Sequence, residues 1–249
     1  MNISIKNYLK TKAIEGDIIL YRDKTHKKKE MCQFLARHIE TNKTICVCSV
    51  GAFGLYIAKA FPNHQVVICG HVSEEYKQQI EKLSNTMIVE KRGSAETKIY
   101  AEQNDYYYIN QYNEPLIQNY YTQHFYDILL EVGQVDAFCD CGHSCATLAG
   151  IIENGANLEF ILGVNRLEGN RINIHYLKNL TDKFVQETTY NFDIKQIQEE
   201  IESMYSDFGN VFEATHSISA AMSWLQKNPG KTVLVYVGDS PIFGEDATI

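Results

Sequence analysis

The sequence predicts an α/β protein with mostly parallel sheets and helices on both sheet faces. Short apolar runs alternate with segments of helical periodicity along most of the chain. Two of the runs, near residues 44–50 and 134–140, lead through small residues directly into a helical segment. This repeated strand–helix alternation is typical of parallel sheets, whose ligands bind at the carboxyl ends of strands.

The individual elements follow from apolar spacing, caps and breakers. For example, Pro62 ends one helical segment and Ser73 begins another. The predicted strands cover 17–21, 44–50, 65–70, 86–90, 106–109, 134–140, 158–164 and 232–237. The predicted helices cover 28–39, 51–61, 73–83, 94–103, 117–131, 145–153, 192–204 and 219–226. Residues 166–192 are polar and receive no assignment.

Composition and net charge restrict the kinds of protein that this chain can be. A chain of 249 residues with 45% apolar and 22% charged residues is long enough for one large domain or two small ones with a real core. The net charge is −8, and Lys27-Lys28-Lys29 is the only strong basic cluster, so no basic surface supports nucleic-acid binding.

The sequence also predicts a cytoplasmic location. No stretch approaches the roughly 18 apolar residues of a membrane-spanning helix, and the first residues lack a signal-peptide pattern. The seven cysteines are an odd number without a secretory context, and we expect them to be reduced thiols.

Two turns have the composition of anion-binding sites. Gly142-His-Ser-Cys-Ala-Thr147 follows a strand and begins a helix, where unpaired N–H groups and the helix dipole favour a phosphate. Ser49-Val-Gly-Ala-Phe-Gly54 has the same context and is suited to a carboxylate. The alternative for the second turn is a tight strand–helix connection without a ligand.

The pattern Cys139-x-Cys141-x-His143-x-Cys145 raises the separate possibility of a zinc site. Structural zinc sites usually take their ligands from two separated pairs with C-x2–4-C spacing. Alternate residues of a strand share one face, and the chain then turns away. We therefore expect no metal.

Residues 111–151 resemble the fold-type II pyridoxal-phosphate enzymes, which include cysteine synthase, cystathionine β-synthase and threonine synthase. In that family a Gln-Phe-x-Asn-Pro stretch leads to a helix, a Val-Asp strand and a Gly-Thr-Gly-Gly-Thr loop that binds the cofactor phosphate. Here Gln111-Tyr-Asn-Glu-Pro115, a helix and Val135-Asp136 follow in the same order. The resemblance implies a phosphate-binding loop at five consecutive positions, His143, Ser144, Cys145, Ala146 and Thr147.

The resemblance also extends to the 49–54 turn, where the family has Thr-Ser-Gly-Asn-Thr-Gly and binds the substrate carboxylate. Gly51 and Gly54 match, and Ala52 stands where the family's asparagine contacts the cofactor. By this resemblance, Ala52 is a cofactor-binding position. The implied substrate-binding positions are Ser49, Val50, Gly51, Phe53 and Gln111.

A lysine at the start of a helix carries the cofactor in this family, in the pattern Ser-Phe-Lys-x-Arg. The similar run Thr25-His26-Lys27 implies Lys27. Helix phase instead favours Lys28, because the residues 3, 4, 7, 8 and 11 positions further on are all apolar. Lys29 is the third choice. The alternative is a solvated basic helix start.

The final strand, 232–237, is followed by Gly-Asp239-Ser240 and is similar to the family's last strand, which ends in Pro-Asp-Ser or Pro-Ser. In the family a hydroxyl there faces the cofactor ring nitrogen, which implies this role for Ser240. A neutral hydroxyl leaves that nitrogen unprotonated and favours β-elimination.

Taken over the whole chain, the resemblance implies two three-layer αβα domains with a pyridoxal 5'-phosphate cleft between them. Residues 1–29 with 133–249 would form the larger domain and 30–132 the smaller, mobile one. The implied activity is β-elimination or β-replacement on a small amino acid by a homodimer. The alternative is a degenerate relative that serves as a binding or regulatory subunit, which Ala52 and the missing loop glycines favour.

Overall fold

The structure is a computed structural model, and its residues divide into two compact units. The first contains residues 1–26 and 121–249, and the second contains residues 27–120. The structure describes residues 2–23, 27–91, 93–111, 113–141, 151, 160–166, 171–177, 183–189, 194–204 and 211–238. The predicted domain limits, after residues 29 and 132, stay a prediction.

The described residues alternate between strands and helices. The strands are β1 (Asn2–Ser4), β2 (Asp17–Asp23), β3 (Ile45–Cys48), β4 (Val66–Cys69), β5 (Thr86–Val89), β6 (Tyr107–Ile109), β7 (Ala137–Cys141), β8 (Phe160–Arg166), β9 (Arg171–Leu177), β10 (Lys183–Thr189) and β11 (Thr232–Gly238). The helices are α1 (Lys6–Thr11), α2 (Lys27–His38), α3 (Ala52–Ala60), α4 (Glu74–Ile80), α5 (Gly93–Gln103), α6 (Pro115–Val132), α7 (Ile194–Met204) and α8 (Val211–Lys227).

The second unit is built on a parallel four-stranded sheet in the order β5-β4-β3-β6. Helix α3 covers one face, where Gly54 lies against Ile68. Helix α5 covers the other, where Ala101 packs in one cluster with Cys46, Val67 and Cys69. Successive residues of β4 thus contact opposite layers, as alternation along a strand requires. This unit has the three-layer αβα arrangement.

The first unit contains a seven-stranded mixed sheet in the order β1-β2-β11-β7-β8-β9-β10. Strands β2, β11, β7 and β8 are parallel, whereas β1, β9 and β10 pair antiparallel at the two edges. Val233 and Val235 pack in one core cluster with residues of α7 and α8. Leu234 and Tyr236 pack in another with residues of α6. The predicted α/β class with helices on both faces is confirmed.

Three parts of the first unit were not predicted. The short β1 and α1 precede the first predicted strand, and β9 and β10 lie within the unassigned segment 166–192. Apolar residues alternate at Ile172, Ile174 and Tyr176, which was an available strand signal. Helix α8 begins at Val211 rather than at 219, because its first turns bury polar residues that do not show an apolar stripe.

Among the described helices, none combines the length and the apolar character needed to cross a membrane. The predicted helix 145–153 lies outside the described residues except for Ile151.

Candidate active site

The 49–54 turn connects β3 to α3 at the carboxyl edge of the smaller sheet. Ser49 is buried, with 3% of its surface exposed. Its Oγ accepts hydrogen bonds from the backbone N–H groups of Gly51, at 3.1 Å, and Gly54, at 2.9 Å. The hydroxyl therefore satisfies two main-chain donors at the start of α3, whose N-cap residue is Gly51.

The turn is packed closely against the end of the neighbouring strand. Ser49 N–H donates to the Cys69 carbonyl at 2.9 Å. A Cβ atom at Gly70, whose φ is +153°, would lie 2.3 Å from the Ser49 carbonyl oxygen. Because both atoms of that clash are held by main chain, only glycine fits at this position.

Two main-chain donors at the start of α3 remain for a ligand. The first backbone hydrogen bond that closes a turn of α3 runs from Leu55 N–H to the Gly51 carbonyl at 3.0 Å. Within the described part of the chain, the N–H groups of Ala52 and Phe53 donate to no acceptor. Helix N-termini also carry a partial positive charge, so the turn is suited to a carboxylate.

The side chains of the turn offer little polarity. Val50 is 74% exposed, whereas Phe53 is 3% exposed and packs into the interior. Ala52 is half-buried and carries only a methyl group. A ligand at this turn would therefore meet main-chain N–H groups and the Val50 side chain.

Gln111 lies beside the same turn. Its Nε2 donates to the Cys48 carbonyl at 3.1 Å, which joins the chain beyond β6 to the end of β3. The structure thus brings together Gln111, Ser49, Val50, Gly51, Ala52 and Phe53. Their roles in binding stay predictions.

The lysine run lies at the start of α2, which packs against α3. Lys27 is the first residue of this helix, and Lys28 and Lys29 are exposed. The apolar stripe predicted from helix phase is buried at Met31, Cys32, Leu35 and Ile39. Burial raises the pKa of the Cys32 thiol, and the charge of Lys28 acts in the opposite direction.

The predicted phosphate loop and ring-nitrogen partner lie outside the described residues. These positions are His143, Ser144, Cys145, Ala146, Thr147 and Ser240. The strands that precede them, β7 and β11, are parallel neighbours with Asp140 opposite Tyr236. Their carboxyl ends therefore meet at one edge of the larger sheet.

The zinc pattern is only partly described, because His143 and Cys145 lie outside the described residues. Elsewhere in the part of the chain that the structure describes, no three His, Cys, Asp or Glu side chains are placed to hold a metal ion.

Two features near the turn were not predicted. A cavity of about 630 Å³ opens beside α4, and His71, Lys77, Ile88 and Glu90 are among its lining residues. Cys46, Cys48 and Cys69 form a thiol cluster on the α5 side of the sheet, with Cys46 and Cys69 Sγ 3.8 Å apart. Only strand register places these three cysteines together.

Comparisons with known proteins agree with this architecture. O-acetylserine sulfhydrylase isoform 3 from Entamoeba histolytica has a TM-score of 0.66 at 14% identity, covering 96% of this chain and 85% of that chain. A pyridoxal 5'-phosphate-dependent aspartate racemase has a TM-score of 0.68 at 12% identity, covering 98% of this chain and 90% of that chain. A hydrogen sulfide-producing enzyme from Fusobacterium nucleatum has a TM-score of 0.62 at 13% identity, covering 92% of this chain and 90% of that chain.

No family model and no curated protein matches the sequence. The structural similarity nevertheless extends over nearly the whole chain and includes both sheets. The chain therefore has the fold of the fold-type II pyridoxal-phosphate enzymes, as the sequence resemblance implied.

Proposed function

We propose that this protein is a pyridoxal-phosphate-dependent enzyme that performs β-elimination or β-replacement on a small amino acid. The observation that carries the proposal is the 49–54 turn, whose Ala52 and Phe53 N–H groups have no acceptor in the described chain. The fold supports the cofactor, because structural neighbours include a sulfhydrylase, a cysteine synthase and an enzyme described as pyridoxal-phosphate-dependent.

The described residues fit such a cofactor and its substrate. An aldehyde needs an accessible primary amine, and Lys28 and Lys29 are exposed at the start of α2. An α-amino acid needs donors for its carboxylate, and the start of α3 has two. All of these groups belong to the unit that contains residues 27–120.

In this proposal different residues of the chain have different roles. The 49–54 turn binds the substrate carboxylate, and Gln111 lies beside it. The ε-amino group of Lys27 or Lys28 would hold the cofactor and take the proton from the substrate α-carbon. The 143–147 segment would hold the phosphate, and the Ser240 hydroxyl would be the partner of the ring nitrogen. When bound, pyridoxal phosphate supplies an electron sink for the charge left on the α-carbon.

A borohydride trapping experiment tests the proposal. The purified protein, incubated with pyridoxal phosphate, should show a visible absorbance band that borohydride abolishes. Peptides from a protease that does not cleave at lysine should then carry a pyridoxyl adduct on Lys27 or Lys28. Lys29→Ala is the matched control, and it should retain both the band and the adduct.

The absence of both the absorbance band and the adduct would contradict the proposal. A protein that stays colourless with added cofactor and carries no adduct would favour a degenerate relative with a binding or regulatory role. Loss of the band in Lys29→Ala alone would move the cofactor lysine to the third position of the run.

We further propose that the protein is a cytoplasmic homodimer. Support for a self-association surface comes from α6, where Tyr126 and Leu130 are exposed one helical turn apart. Reduced cysteines support the location, because among the described residues Cys32, Cys46, Cys48, Cys69 and Cys139 are free thiols.

A further inference from the structure

Three cysteines of the smaller sheet share one face beneath α5. Cys46 and Cys48 are two residues apart in β3, and Cys69 ends β4. The register pairs Cys48 with Cys69 and Cys46 with Val67, so all four side chains point to the same side of the sheet. Cys46 Sγ and Cys69 Sγ are 3.8 Å apart and form a buried hydrogen bond.

Backbone geometry decides which two of these thiols can be joined. Directly paired residues on neighbouring strands have Cα atoms about 4.8 Å apart, whereas a diagonal pair two residues out of register is about 8 Å apart. A disulfide needs a Cα separation of about 4.4–6.8 Å. The direct pair Cys48 and Cys69 meets this condition, while the diagonal pair Cys46 and Cys69 does not.

The three thiols also differ in reactivity. The hydrogen bond with Cys46 lowers the pKa of Cys69; burial opposes this shift, and the charge of Lys91 supports it. That same hydrogen bond, together with burial, raises the pKa of Cys46. Burial raises the pKa of Cys48, the third thiol of the cluster. Cys69 is therefore the thiol of the cluster that most readily forms a thiolate.

The exposure of the three thiols to solvent does not follow the order of their pKa values. Cys46 and Cys69 are both fully buried, whereas Cys48 is partly exposed. A small oxidant can therefore reach Cys48 first, and Cys69 lies next to it on the neighbouring strand.

We propose that Cys48 and Cys69 form a thiol–disulfide exchange site for low-molecular-weight disulfides. In the first step the Cys48 sulfur attacks a disulfide RSSR, giving a mixed disulfide on Cys48 and releasing one RSH, which takes the Cys48 proton. In the second step the Cys69 sulfur attacks Cys48, the Cys48–SR bond breaks, and a second RSH leaves with the Cys69 proton. The two protein thiols are oxidised by two electrons and RSSR is reduced.

The position of this bond links it to the candidate active site. The Cys69 carbonyl accepts from Ser49 N–H, and the Cys48 carbonyl accepts from Gln111. A bond between the two side chains would hold together the strand ends from which the 49–54 turn begins. Oxidation should therefore slow amide hydrogen exchange of the turn, which can be measured without any cofactor.

The test is oxidation of the full chain with glutathione disulfide, followed by mass mapping under non-reducing conditions. The expected product links the tryptic peptides 44–59 and 60–77, with a loss of about 2 Da that dithiothreitol reverses. The first peptide contains both Cys46 and Cys48, so two variants assign the bond. Cys48→Ser should abolish the link, and Cys46→Ala should retain it.

Cys46→Ala also tests the role of the hydrogen bond. Loss of the hydrogen bond that lowers the pKa of Cys69 should slow the second step, so the glutathione adduct on Cys48 should accumulate several-fold compared with the wild type. Cys32→Ser, a buried thiol on α2, is the matched control and should change neither step. A link that survives in Cys48→Ser, a stable Cys48 adduct in the wild type, or three thiols that remain free after oxidation would each overturn the proposal.

Discussion

At the residue scale, the Ser49 hydroxyl is engaged inside the protein. Its Oγ accepts hydrogen bonds from the backbone N–H groups of Gly51 and Gly54. Ser49→Ala should leave these two N–H groups without their acceptor. One lost hydrogen bond of this kind usually costs about 1 kcal/mol, so the expected loss for two is about 1–2 kcal/mol. Urea unfolding of the two proteins measures this difference.

Ser73 provides a matched control. It occupies the N-cap of α4 but is exposed, and its side chain makes no capping hydrogen bond. Ser73→Ala should change the free energy of unfolding by less than about 0.5 kcal/mol. Equal losses in the two variants would show that the Ser49 hydroxyl has no special role in the turn.

Glu114, at the N-cap of α6, should make stability depend on pH. Burial raises the pKa of its carboxyl group, and the backbone N–H of Leu116 opposes this shift. A carboxyl whose pKa is higher in the folded than in the unfolded chain stays protonated to a higher pH when the chain is folded. Its contribution to stability therefore falls as pH rises through and above about 4.5. Glu114→Gln should therefore become more stable relative to the wild type over that interval.

Thermal unfolding from pH 4 to pH 8 provides the measurement, with the exposed Glu40→Gln as the control. The stability difference between Glu114→Gln and the wild type should rise with pH and then level off. A difference that falls with pH would mean that the Leu116 hydrogen bond outweighs burial.

At the element scale, Asp136 joins the beginnings of two central parallel strands. Its Oδ2 accepts from Thr232 N–H at 2.7 Å, and its Oδ1 lies 3.4 Å from Lys231 Nζ. Asp136→Ala should lower the free energy of unfolding by about 1.5–3 kcal/mol, because a charged acceptor of a partly buried N–H is lost. Asp136→Asn keeps an acceptor of similar shape and should lose less.

The comparison of these two variants in guanidinium unfolding separates the hydrogen bond from the ion pair. Lys231→Met removes the ion pair, which is partly exposed and should contribute less than about 1 kcal/mol. If Asp136→Asn were as damaging as Asp136→Ala, the charge of the Asp136 side chain rather than its hydrogen bond would account for the loss.

Elements with strong periodicity were predicted well. The buried stripe of α2 and the short apolar strands β3 and β4 agree with the structure within a few residues, because each buries a regular pattern. The edge strands β9 and β10 were not predicted, because their stability comes from antiparallel partners that a local window does not contain.

At the scale of the whole molecule, self-association can be tested on α6. Light scattering should give twice the mass of one 249-residue chain. Leu130, which is 86% exposed, should lie in the interface, and Leu130→Glu should weaken the dimer at least about tenfold.

Ile99→Glu on α5 is the matched control, since Ile99 is also exposed, at 54%, but belongs to the other unit. It should leave the mass unchanged. A monomeric wild type would refute the dimer, and a Leu130→Glu variant that remains fully dimeric would place the interface elsewhere.

The sequence by itself determined the α/β class, the position of most helices and strands, and the resemblance that the structural comparisons support. These depend on local periodicity and on motif order, which a single chain displays directly. Tertiary structure alone decided that the Ser49 hydroxyl is engaged, that Phe53 points inward, and that Cys48 lies opposite Cys69. Such facts depend on strand register and on contacts between residues distant in sequence, which no local pattern specifies.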